Sequence, residues 1–357
     1  MDNRLKEFVE NIGYARIIIG LFLIVLLVSA FLLKLPMSNL FEGILVRTGM
    51  NGILVLAMVP SIQSGTGLNF GLPIGIICGL IGTIISIEMN LVNWNAFIVS
   101  LIIGSLLGAI SGYLYGILLN KVKGQEMLVG TYAAFSIVSG MCMFWLLAPF
   151  YSPKMIWPYG GKGLRVTISL ENVFDKILNN WVPFGMSLDK FPFRILGVNI
   201  PIGLLLFFGI FCFIFWIFSR SKTGITMHAA GSNPKFAESS GINVDKARII
   251  GTVLSTMLGA IGIIVYAQSY GFLQLYTAPQ FMAFPAVASI LIGGASIKTA
   301  SIMHVIIGTF LFQSLLVVAL PVANVVLEGS LSEVVRIIIS NGIILYALTR
   351  IGGGEEH

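Results

Sequence analysis

Long stretches of this chain carry no Asp, Glu, Lys or Arg, among them Thr48–Ile87, Met127–Pro153, Ile195–Ser219, Ile249–Ile297 and Thr299–Leu327. A helix crosses the hydrocarbon of a bilayer in about 20 apolar residues, so the longest of these stretches hold two spans each. No soluble core accounts for such lengths. The whole chain is 57% hydrophobic and 10% charged, which excludes an ordinary soluble domain. The segment Ile17–Leu33 follows Arg4, Lys6 and Arg16, as a signal peptide would. It runs into Lys34-Leu35-Pro36 without a small-residue cleavage pattern, so it reads as a retained span.

Cutting the apolar stretches at Gly, Pro and Asn clusters predicts an all-α polytopic membrane protein with about ten transmembrane helices. They lie near 17–34, 43–62, 71–87, 96–119, 127–149, 198–218, 249–268, 282–297, 302–323 and 333–349. The pieces 71–87 and 282–297 are short enough to be re-entrant or broken. With the N-terminus in the cytoplasm, Lys121, Lys123, the basic 220–248 segment, Lys298 and Arg350 all fall inside. The 150–197 loop falls outside despite Lys154, Lys162, Arg165, Lys176, Lys190 and Arg194, since long loops obey the positive-inside rule less strictly. The chain reads as one transmembrane domain over 1–357.

The net charge of +6 is a topology signal, facing cytoplasm and lipid headgroups, and not a nucleic-acid surface. Cys78, Cys142 and Cys212 sit in predicted spans without CxxC spacing and read as small apolar fillers. His228, His304 and His357 are far apart in sequence, so neither a metal nor another cofactor is expected. Arg47, Glu88 and Arg336 read as span-boundary residues that snorkel. With no chain of buried acids or histidines, a proton-coupled transporter is disfavoured. No HExxH pair or G-x-S-x-G elbow suggests a membrane enzyme.

The polar island Arg220–Arg248 separates two apolar segments. Within it Asn233 is a good N-cap, Pro234 suits the first helical position, and Gly241 is placed to close the helix. This predicts a helix of about two turns that needs a docking partner to be stable. Elsewhere Gly104, Gly108, Gly112 and Gly116 recur every four residues and predict a groove for close helix packing, chiefly within the subunit.

Residues 222–268, KTGITMHAAGSNPKFAESSGINVDKARIIGTVLSTMLGAIGIIVYAQ, resemble the cytoplasmic loop and following helix of ribose-type ABC importer permeases. The resemblance extends through Leu196-Gly197-Val198-Asn199-Ile200-Pro201 and the apolar run Ala286–Ser296 that ends in Gly-Gly-x-Ser. These permeases are the membrane subunits of the branched-chain amino acid and simple-sugar superfamily. The resemblance implies a type II ABC importer-like fold and a loop helix that docks on a separate ATPase. On this chain the coupling helix is carried by Pro234, Lys235, Phe236, Ala237 and Glu238, capped by Asn233 and Gly241. Phe236 and Ala237 are expected to give apolar contact, Lys235 and Glu238 polar contact. No G-x-x-x-x-G-K-[ST] occurs, so ATP hydrolysis is expected on another chain.

Gln63–Pro73 interrupts a long uncharged stretch with polar side chains, three glycines and a proline. Non-helical backbone at membrane depth is tolerated where it is buried in protein or lines a polar cavity. The resemblance places a Gly-x-(Asn/Asp)-(Leu/Phe)-Ser-like signature near the translocation path. Gly67-Leu68-Asn69-Phe70 fits it, while Gly71 stands where Ser is common. Thr66, Asn69 and Phe70 are the path candidates.

The implied partners are cytoplasmic ATPase subunits, an extracytoplasmic solute-binding protein, a second permease subunit, identical or related, and membrane lipid. The implied location is the cytoplasmic membrane of a bacterium. The implied cargo is a small polar solute, a simple sugar first and a nucleoside second; the competing class is a secondary transporter.

Overall fold

A computed structural model describes residues 14–156, 163–181, 194–195, 198–326, 334, 337–338 and 341–345. Helix α1 (Tyr14–Leu32) leads to α2 (Met37–Leu56) and α3 (Met58–Gln63), followed by α4 (Leu72–Glu88), α5 (Asn93–Lys121) and α6 (Glu126–Leu147). Beyond β1 (Thr167–Ser169), β2 (Arg194–Ile195) and β3 (Val198–Asn199) come α7 (Ile202–Arg220), α8 (Lys222–Ser232), α9 (Pro234–Ser239) and α10 (Val244–Tyr270). Strand β4 (Phe272–Gln274), α11 (Thr277–Phe281), α12 (Ala283–Ile292) and α13 (Ile302–Val326) complete the order.

Six helical segments among the described residues are long and apolar enough to cross a membrane: Met37–Gln63, Asn93–Lys121, Glu126–Leu147, Ile202–Arg220, Val244–Tyr270 and Ile302–Val326. Ile17–Leu32, Leu72–Glu88 and Thr277–Ile292 are shorter apolar helices. The segment expected over 333–349 lies largely outside the described residues. Of the two segments expected to be re-entrant or broken, Leu72–Glu88 is continuous, with Pro73 accommodated in its first turn. The other spans Thr277–Ile292, displaced from 282–297, and is interrupted at Met282. A turn with Gly294 at φ +94° ends it, so Ile297 lies beyond the helix.

The core forms where small residues let helices α4, α5 and α10 approach backbone to backbone. On α5, a side chain at Gly108 would press on the Cα of Met257 at 3.2 Å, and one at Gly116 on the Cα of Ile249 at 3.1 Å. Gly112 faces Thr256 and Val253, and Gly104 faces Gly79. The four-residue glycine spacing therefore serves packing inside the subunit. Helix α13 meets α12 in the same manner, with Gly308 against the Ser289 carbonyl and Gly293 against that of His304.

Two polar faces bound this core. One gathers the ends of α3, α5 and α12 with the whole 220–248 segment: Gln63 Nε2 donates to the Ala300 carbonyl at 2.9 Å, and Asn120 Nδ2 to that of Asp245 at 2.9 Å. The other gathers part of the 150–197 loop. Strand β1 pairs antiparallel with β4, and buried Gln268 donates to Asn179 Oδ1 at 3.2 Å while accepting from Leu178 N at 3.1 Å. Glu88, expected only to snorkel, accepts from Tyr151 N at 3.0 Å and Ser152 N at 3.2 Å, tying α4 to that loop.

Candidate functional site

Helix α10 runs between two polar sites on opposite faces. On the first face, the polar island folds as two helices where one was expected. Ser221 caps α8, its side chain accepting from Gly224 N at 3.2 Å. Asn233 ends α8 and caps α9, accepting from Phe236 N at 3.1 Å. Gly241 takes φ +79°, and the Ile242 amide bonds back to the Ala237 carbonyl at 2.9 Å, closing α9 as its glycine predicted.

The side chains of α9 divide unequally. Ala237 is fully buried in a small apolar cluster with Ala230, Val244 and Ala247, so it holds α9 to its own chain and is not offered outward. Phe236 is 66% exposed, and Lys235 and Glu238 are exposed beside it. Phe236 is thus the apolar side chain that α9 presents outward, between two charged ones.

Beneath α9, Gly231 lies against Gly65 so closely that a side chain at Gly65 would stand 2.9 Å from its Cα. The 63–73 break is therefore on the polar-island face. Buried Thr66 donates to the Ser61 carbonyl at 2.9 Å. Asn69, expected to face a cavity, is 3% exposed with both ends of its amide engaged. Its Nδ2 donates to Ser255 Oγ at 2.7 Å and its Oδ1 accepts from Gly71 N at 2.9 Å. It braces the loop against α10. Thr66 and Phe70 line a cleft of about 570 Å³ with Glu126, Met127, Thr131 and Ile297, and Asn69 does not. The missing side chain at Gly71 has a physical reason, since Tyr115 fills the space one would need.

An ion pair joins these parts. Arg248, in the second turn of α10, bonds the carboxylate of Glu126 at the start of α6. Their side chains are 9% and 14% exposed. A half-exposed pair, Lys123 to Asp245 at 2.6 Å, lies nearby. The buried pair was not anticipated: its partners are far apart in sequence, and each alone reads as a boundary charge.

Toward the opposite face, a cavity of about 780 Å³ opens between α2, α10, α12 and α13. Its polar wall includes Glu42, Arg47, Asn51, Tyr266, Tyr270 and Gln313. Arg47 is exposed on this wall, on helix α2. The helix begins at Met37 and not near 43, which puts Arg47 about 15 Å along its axis. Among the described residues the guanidinium makes no hydrogen bond or ion pair. Glu42 accepts from Asn199 Nδ2 at 3.2 Å. Tyr266 and Tyr270 stack at 5.6 Å and 22°, and Phe272 continues the aromatic series.

A family model described as the permease component of the branched-chain amino acid transport system matches residues 40–347. The ribose import permease protein of Haemophilus influenzae is 23% identical over 272 residues, covering 75% of this chain and 73% of that one. The autoinducer 2 import system permease protein of Photorhabdus luminescens is 24% identical over 260 residues, covering 72% and 68%. The autoinducer 2 import system permease protein of Enterobacter sp. (strain 638) is 23% identical over 245 residues, 68% of this chain and 61% of its own length. No solved structure matches.

Proposed function

This chain belongs to the branched-chain amino acid transport permease family, and we propose from that premise that it is the membrane subunit of a bacterial ABC importer. It is similar to ribose-type permeases, which favours a simple sugar as cargo. In this reading the chain has about ten spans in a type II-like arrangement within the cytoplasmic membrane. It works with cytoplasmic ATPases, an external solute-binding protein and a second permease subunit. The supporting observation is α9: a capped six-residue helix that its own chain holds by Ala237 while Phe236 stands bare.

The coupling follows from the contacts. Force on Phe236, Lys235 and Glu238 reaches α10 through the Ala237–Val244–Ala247 cluster. The Arg248–Glu126 pair passes it to α6, and Gly231 passes it to the loop carrying Thr66 and Phe70. Those two residues flank the inner mouth of the path, held in place by Asn69. Hydrolysis occurs on the partner, since the chain has no phosphate-cradling glycine loop.

The test is capture of an ATPase subunit by the tagged chain expressed with the products of its neighbouring genes. Wild type should bring the ATPase down. Phe236→Asp and Glu238→Lys should each reduce capture and solute-stimulated hydrolysis while the chain still inserts. Full capture and stimulation in both variants would remove the coupling role from α9.

A further inference from the structure

We infer that the crevice between α4, α5 and α6 binds one acyl chain of an anionic phospholipid, with Lys121 at the headgroup. The crevice has a volume of about 360 Å³ and lies among apolar helices. Its floor includes Ile77 and Ile81 of α4, and its walls Leu114 and Leu118 of α5 and Ile137 of α6. Leu114, Leu118 and Ile137 are exposed, so the crevice opens sideways, away from the protein. Two of its polar groups satisfy each other, Cys78 Sγ donating to Ser111 Oγ at 3.3 Å. The third, the Tyr115 hydroxyl, lies against Gly71 and Gly130. What remains is hydrocarbon surface, which an acyl chain covers more favourably than water.

Length and charge identify the occupant. From Leu118 to Ser111 on α5, and from Ala133 to Met141 on α6, the crevice runs about 10–12 Å at about 1.5 Å per residue. That fits within one leaflet, half of a hydrocarbon core about 30 Å thick. The leaflet is the one on the face of the 220–248 segment, since α5 ends there at Lys121 and Asn120 bonds the Asp245 carbonyl. Lys121 lies one turn beyond Leu118 on the same side of α5. The carboxylates nearby are already paired, Asp245 with Lys123 and Glu126 with Arg248. Exposed Lys121 makes no ion pair among the described residues. A hydrocarbon slot of one-leaflet length, with an uncommitted cation at its membrane-surface end, suits a phospholipid of net negative charge. A chain seated there also stands against Tyr115, which abuts Gly71 at the end of the loop carrying Thr66 and Phe70.

Photolabelling of the full-length chain tests this. The vesicles are phosphatidylcholine doped with phosphatidylglycerol that carries a diazirine on its acyl chain, and labelled residues are mapped by mass spectrometry. Ile77 is buried and Ile81 half-buried, so label on both requires a chain inside the crevice. Wild type should carry that label. The phosphatidylglycerol probe should give about fivefold more of it than the same diazirine on phosphatidylcholine, the worth of one lysine at an anionic surface. Lys121→Gln should bring the two headgroups level. Ala133→Phe, which sends a ring into the crevice, should clear Ile77 and Ile81 of label and leave it on exposed Leu106 and Phe213. Should Ala133→Phe fail to fold, the wild-type map decides the site by itself. Label confined to outward residues such as Leu106 and Phe213, or undiminished label on Ile77 and Ile81 in folded Ala133→Phe, overturns the site. Equal labelling by the two headgroups in wild type, or an undiminished preference in Lys121→Gln, overturns the anionic headgroup at Lys121.

Discussion

Asn69 shows how a residue can be found by sequence and its work still be hidden. Its amide sits in a polar interruption of an apolar run, which marks it as unusual. Its partner Ser255 is 186 positions away, and only the crossing of the 63–73 loop with α10 brings them together. Asn69→Leu removes the acceptor of the Gly71 amide, and a buried unpaired donor costs about 1–3 kcal/mol. The variant should therefore melt at lower temperature in detergent and lose transport in step with folded protein. Unchanged melting with lost uptake would return Asn69 to the path. The place of Arg47 on a cavity wall was hidden for another reason: its helix starts at Met37, six residues before the expected start near 43.

At the scale of helices, periodicity gives the face but not the partner. The glycine spacing on α5 announced a close contact, and the structure supplies α10 as its occupant. Gly112→Leu would drive a side chain into Thr256 and the Val253 backbone, and should abolish the monodisperse fraction on size exclusion. Gly140→Leu and Gly209→Leu meet nothing within 4 Å and should elute as wild type. Equal behaviour of all three would contradict the packing of α5 on α10. The largely buried ion pair adds a second prediction, because removing one member leaves the other without its partner, at a cost of about 1–3 kcal/mol. Glu126→Met and Arg248→Met should each destabilise the protein by about that much, and the double variant by clearly less, in thermal melts. Helix α8 escaped notice because its glycines, threonines and serine read as loop, though Ser221 is a capping residue of the usual kind.

For the molecule as a whole, the long uncharged stretches made a multi-pass helical membrane protein legible at once, since few other structures satisfy so much backbone in apolar surroundings. They were silent about which loops meet, because loop pairing such as β1 with β4 depends on register across the fold. With Cys78, Cys142 and Cys212 replaced, Ser232→Cys and Phe272→Cys should label from opposite sides of the membrane with an impermeant maleimide. Both positions are exposed, and α10 runs between them for about 40 Å. Labelling from one side would break that crossing. The caps of α9 carry a further consequence. Asn233 and Gly241 fix where the segment starts and stops, and Ala237 alone anchors it in the underlying apolar cluster. A stretch bounded in this way can be exchanged like a plug: grafting a related permease's counterpart over 233–241 while keeping Ala237 should re-address the chain to a different motor. Such a graft leaves the cavity beside Tyr266 and Tyr270 untouched at the far end of α10, so uptake of the same solute is the expected outcome.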